Sequence, residues 1–256
     1  MVVAGLAICS FTRSAANILL PAILLMWFLT PRVNFKKALI YFIAVLGTLF
    51  LVSWIQFAQT GEWLGFIKTQ EHWGHRIQWP ALPFSTWWGM ILLDAAALLT
   101  GLYAVGFVLL MIYQRIRYRQ ECGMEPLLFS MLILAGLTGI SLLYKGGVLF
   151  SLNRYIIPSA FFLIAGTHVL NFYSYGTKRL FKLIFGVFIF FILFHFFVHI
   201  QVVLRFFLLS VYVGAYLLLN HPVKQVSRIA FLGIYAVNCF LQVMLLDMFL
   251  NDQWVA

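Results

Sequence analysis

Eight apolar runs, near 14–30, 37–59, 88–113, 126–144, 153–173, 181–200, 204–219 and 229–250, leave this chain few folds to choose from. Crossing about 30 Å of hydrocarbon takes an α-helix of about 20 apolar residues, and most of these runs are close to that length. Barrel strands need only about 9–11 residues and alternate in polarity, which these runs do not. The predicted fold class is therefore all-α: a polytopic transmembrane helix bundle of about eight full spans plus a partial N-terminal one. The seventh run is the shortest, and is read either as a tilted span or as part of a re-entrant hairpin with its neighbour. Charged residues make up only 9% of the chain and hydrophobic residues 64%. A soluble domain carries about 25% charged residues, so a water-soluble globule is excluded. No polar linker interrupts the sequence, and residues 1–256 are expected to form a single transmembrane domain.

The N-terminus adds a further expectation. Met1–Phe11 is apolar, too short to span and without a basic n-region, so it does not read as a signal peptide. It reads as the last third of a helix, and the chain is expected to lack an N-terminal part. Cys9, Cys122 and Cys239 are widely spaced and show neither a metal-ligand nor a disulfide pattern.

The formal charge of +10 belongs to topology rather than to nucleic-acid binding, because the basic residues cluster in short connections between apolar runs. Eleven of them alternate with six: Arg32, Lys36, Lys37, Arg115, Arg117, Arg119, Lys178, Arg179, Lys182, Lys224 and Arg228, against Arg13, Lys68, Arg76, Lys145, Arg154 and Arg205. Under the positive-inside rule the larger set faces the cytoplasm. The segment 60–88 then lies on the non-cytoplasmic face. Membrane lipids are the expected surroundings, with no nucleic-acid partner.

That segment, TGEWLGFIKTQEHWGHRIQWPALPFSTWW, is the one long stretch that is neither a span nor a basic connector. It holds five of the eight tryptophans and two of the seven acidic residues. Rings beside amide and carboxylate groups suit a sugar, whose apolar face packs on aromatics while its hydroxyls need hydrogen bonds. Were 63–72 a short helix, Lys68, Glu71 and His72 would share one face. The plainer alternative is an interfacial aromatic belt, which accounts well for Trp87 and Trp88 but less well for the polar run around Gln70, His72 and Trp73. No cofactor is fixed by these residues. A divalent metal stays open only through His72 and His75, two ligands with no third in view.

Arg13 and Arg154 lie at span edges on the same face. A cation at membrane depth needs a partner, and a guanidinium suits bidentate binding of phosphate, although simple snorkelling to headgroups explains either residue. Asp94, expected about two turns into the third span, is read as pairing with an arginine ahead of serving as a buried base. His195 and His199 are one turn apart on a predicted helix, where packing is favoured over a proton relay. No phosphate loop, dinucleotide fingerprint or nucleophile elbow occurs.

Three segments together resemble the GPI mannosyltransferase II (PIG-V type) family. Gly61, Glu62, Phe66, Gln70, Trp73 and Pro80 match its lumenal signature; Thr12 and Arg13 match its Thr-Arg turn; Arg154, Tyr155 and Pro158 match its Arg-Tyr-x-x-Pro helix start. The match runs over residues 10–165, and Glu62 stands where aspartate is more usual. The resemblance implies a polytopic GT-C glycosyltransferase that moves a mannosyl-like sugar from a polyprenyl-phosphate donor to a lipid or glycolipid acceptor. It implies donor-phosphate binding by Arg13 and Arg154, and substrate contacts from Glu62, Gln70, His72, Trp73 and Tyr155. The catalytic base of such enzymes lies in an external loop near the N-terminus, so no catalytic residue is assigned here. The competing expectations are a transporter or flippase of a lipid-linked or anionic substrate, and a non-catalytic membrane subunit.

Overall fold

A computed structural model describes residues 2–12, 17–30, 34–63, 65–72, 76–82, 84–86, 90–121, 123–150, 152–172, 177–197, 199–221 and 223–250. Every regular element among them is helical: α1 (Val2–Thr12), α2 (Leu19–Leu29), α3 (Phe35–Thr60), α4 (Gly65–His72), α5 (Ile91–Tyr118), α6 (Glu125–Lys145), α7 (Leu152–Ile156), α8 (Ala160–Phe172), α9 (Thr177–Leu193), α10 (Ile200–Leu217) and α11 (Lys224–Leu250). The one β-type pairing described is an isolated parallel bridge between Ser85 and Val148. Among the described residues four helices, α3, α5, α6 and α10, are long and apolar enough to cross a membrane. The run near 14–30 yields the 11-residue α2, and the run near 181–200 yields the 17-residue α9. The run near 153–173 is broken into α7 and α8 around Pro158, which cannot donate the hydrogen bond that a continuous helix requires there.

The chain divides into two compact units, Met1–Gly166 and Thr167–Ala256. In the first, α5 and α6 share the most extensive interface. The buried stripe of α5 carries Ala95, Ala97, Gly101 and Ala104, small residues that let another backbone approach closely. At Gly101 the approach is tightest, since a β-carbon there would lie 1.9 Å from the Thr138 hydroxyl of α6. Thr138 is fully buried and returns its hydroxyl to the Leu134 carbonyl at 2.9 Å, so no polar group is stranded. On its other side α6 meets α2, where a β-carbon at Gly136 would strike Ile18.

Helix α3 shows most directly what surrounds this unit. Asn34 caps it by accepting from the Lys36 amide, and Gly61 ends it in the left-handed conformation with φ 74°. Between those caps only Ala38 and Val45 are buried, while Ile40, Ile43, Phe50 and Trp54 are more than half exposed. Such a face is untenable in water and natural against lipid.

In the second unit the phenylalanine-rich α9 plays two parts. Phe181 and Phe185 point outward, but Phe191, Phe196 and Phe206 close into a buried cluster between α9 and α10. Tyr212 of α10 donates to the Asn238 side chain of α11 at 2.8 Å. The expected pairing of His195 and His199 on one helix is corrected here. Helix α9 ends at Leu193; the Phe196 amide reaches back to the Phe191 carbonyl and the His195 amide to that of Ile192. This is a Schellman ending, with His195 at φ 55° where glycine is usual. His199 belongs to the next element, as the N-cap of α10.

Candidate functional site

The segment 60–88 is divided between two supports. Its first part continues from α3: Glu62 pairs with Lys68 at 2.5 Å, and Trp63 stacks on Phe57 of α3 with centroids 4.7 Å apart. The expected short helix is present as α4, which sets Lys68 and Glu71 three residues apart along it. Lys68 nonetheless spends its charge on Glu62, an exposed pair with side chains 66% and 42% accessible.

The second part is an extended strap tied to the turn that leaves α6. The Gln78 amide donates to the Leu143 carbonyl at 2.9 Å, that of Ala81 to Gly146 at 3.1 Å, and that of Ser85 to Gly147 at 3.2 Å. The Leu149 amide returns a bond to the Ser85 carbonyl at 2.8 Å. Two consecutive glycines make this docking feasible. Gly146 and Gly147 have φ values of 57° and 99°, which L side chains rarely adopt. A β-carbon on Gly147 would also lie 2.5 Å from the Ala81 carbonyl oxygen.

Under the strap lies Asp94, with no exposed surface. Its helix begins at Ile91, so Asp94 stands in the first turn of α5 instead of two turns into a span. Among the described residues its direct partners are a hydroxyl and a backbone amide, with Arg13 outside them. The Thr86 hydroxyl, from the strap, donates to Oδ2 at 2.5 Å, and the Asn153 amide, from α7, donates to Oδ1 at 3.1 Å. A buried carboxylate without such donors is heavily penalised, so these two bonds lock strap, α5 and α7 into one geometry. Lys145 and Arg154 lie close enough for their charges to act on Asp94. Lys145 ends α6, donates to the Phe150 carbonyl and faces the Tyr155 ring at 5.9 Å from its centre.

The structure thus gathers Arg154 and Tyr155, expected from sequence, with Asp94, Thr86, Lys145 and Asn153. By sequence alone Lys145 is one of the six charges in the smaller topological set. Its signal was its position immediately before Gly146–Gly147, a turn that redirects the chain toward α7. Asn153 and Thr86 carried no signal of their own. Arg13 and Trp73 lie outside the described residues, as do the side chains of Gln70 and His72. Glu62 is held by Lys68 on the other support. Among the described residues no three metal-ligating side chains come together.

Chemically, the cluster presents two cations beside one carboxylate that is saturated by neutral donors. By formal count it holds one more positive than negative charge, near the end of α6 and the start of α5. Compared with protein-family models, with curated proteins and with solved structures, the chain finds no match in any of the three.

Proposed function

We propose that this protein is a multi-pass membrane glycosyltransferase of GT-C type, with about eight spans, which transfers a mannosyl-like sugar from a polyprenyl-phosphate donor to a lipid or glycolipid acceptor. The observation that carries the reading is that Asn153, whose amide holds Asp94 under the strap, is followed directly by Arg154 and Tyr155, and that Lys145 lies 5.9 Å from the Tyr155 ring centre. The motif resemblance and the excess of Lys and Arg in the opposite connections support a site on the non-cytoplasmic face.

In this reaction the acceptor hydroxyl attacks the anomeric carbon. The bond from that carbon to the phosphate oxygen breaks, the phosphate leaves with the electron pair, and the acceptor proton passes to a general base. The donor's phosphodiester carries one negative charge and the leaving monoester approaches two. Fixed cations therefore bind the transition state more strongly than the ground state. Arg154 supplies a bidentate fork for the phosphate, Lys145 a point charge, and Tyr155 the wall beside them. Gln70, His72 and Trp73 serve the sugar or acceptor, and Arg13 is a second phosphate ligand.

The test is transfer of radiolabelled mannose from polyprenyl-phosphate mannose in membranes containing the protein. Arg154→Ala should abolish transfer, and Arg154→Lys should restore only part of it. Full turnover with unchanged donor affinity in Arg154→Ala contradicts the assignment.

A further inference from the structure

The strap that covers Asp94 has a second side. Its backbone faces α6 through Gln78 and Ala81, while Ile77 is 73% exposed, Trp79 89% and Leu82 68%. Three large apolar side chains on one short extended segment are an unusual surface for a loop rich in polar residues. Most other exposed large apolar groups in this unit lie along helices that lipid would cover, as on α3, and those in connections, Trp63, Met124, Val148 and Phe150, are each less than half exposed.

The position of the strap along α6 decides what can cover it. Helix α6 has 21 residues and rises about 31 Å, close to the thickness of the hydrocarbon core. Its last turn, where Leu143 accepts from Gln78 and Gly146 from Ala81, is therefore at a membrane boundary. Arg76, one residue before the apolar set, is also exposed, as befits a cation at the level of lipid phosphates. Tryptophan is the side chain most at home in that layer, apolar in body with one N–H for the wet side.

We infer that Ile77, Trp79 and Leu82 form an interfacial anchor, by which the strap lies on the protein's own bilayer with these side chains in the headgroup and upper acyl region. The anchor then adds to what already holds the strap, its backbone bonds to the end of α6 and the Thr86 bond to Asp94. Its docking depends on the membrane as well as on Thr86. The inference rests on the membrane-spanning reading of α6 and is independent of sugar transfer.

The test uses the full chain in lipid nanodiscs, with Cys9, Cys122 and Cys239 replaced by alanine. Ile77→Cys, Trp79→Cys and Leu82→Cys are labelled singly with an environment-sensitive fluorophore, and Gln120→Cys, exposed in the α5–α6 connection, serves as the reference. The 77 and 82 positions leave Trp79 intact, and none of the three exposed sites is needed for packing. All three labels should emit to the blue of the reference. Lipids carrying a nitroxide near the headgroup should quench them several-fold more than aqueous iodide does. Stronger quenching by iodide would overturn the anchor and leave the strap as a water-facing surface. Protection from both quenchers would also overturn it, indicating that protein covers the strap.

Discussion

Glu62 and Asp94 are carboxylates at two supports of the same polar segment, yet they are held in opposite ways. Glu62 meets an ammonium at 2.5 Å with both side chains partly in solvent. Asp94 is fully buried and takes its bonds from a hydroxyl and a backbone amide. The first arrangement uses charge where solvent weakens it, and either partner can turn away at little cost. The second removes a charge from solvent and must replace the lost hydration by donors fixed on two other elements. The strap is therefore fixed to a buried carboxylate, while the Glu62–Lys68 pair is a surface contact beside the end of α3.

Substitutions at the two halves should differ accordingly. Asp94→Ala leaves the Asn153 amide and the Thr86 hydroxyl without acceptors, and should cost about 3 kcal/mol in reversible unfolding from mixed micelles. Hydrogen exchange at the Asn153 amide should rise in the same variant. Gly147→Ala should follow at about 2 kcal/mol, since it combines an unfavourable φ with a clash against the Ala81 carbonyl. Loss of protection at Ser85 and Leu149 would identify undocking of the strap as the cause. Thr86→Val keeps the shape but removes one donor to the carboxylate, and about 1.5 kcal/mol is expected. Glu62→Gln should cost less than about 1 kcal/mol in the same assay. A Glu62→Gln effect equal to that of Asp94→Ala would remove the distinction.

The helical class was legible because run length and low charge admit almost nothing else. Helix boundaries were less so, for identifiable reasons. Apolar content continues through Pro158 and through Phe194–Phe197, so hydropathy could not show that the regular helix is interrupted at both places. The same blindness placed Asp94 too deep, because Trp88–Met90 look like span while α5 starts at Ile91. Arg154 and Tyr155 were found as a motif. Asn153 was not, since its contribution to Asp94 is a backbone amide that every residue but proline possesses. Thr86 and Lys145 join the cluster only because Gly146 and Gly147 fold the strap onto α6, a long-range contact with no local periodicity.

The most direct test of the two-half account is the affinity of the nanodisc-embedded protein for a short-chain polyprenyl phosphate, compared among wild type, Arg154→Ala and Lys68→Gln. Loss of a charged hydrogen-bonding partner to phosphate is worth about 1.5–3 kcal/mol, so Arg154→Ala should weaken binding about 10- to 100-fold. Lys68→Gln should leave it unchanged. Unchanged affinity in Arg154→Ala, with loss in Lys68→Gln, would contradict the account and move the anion site to the half that rides on α3.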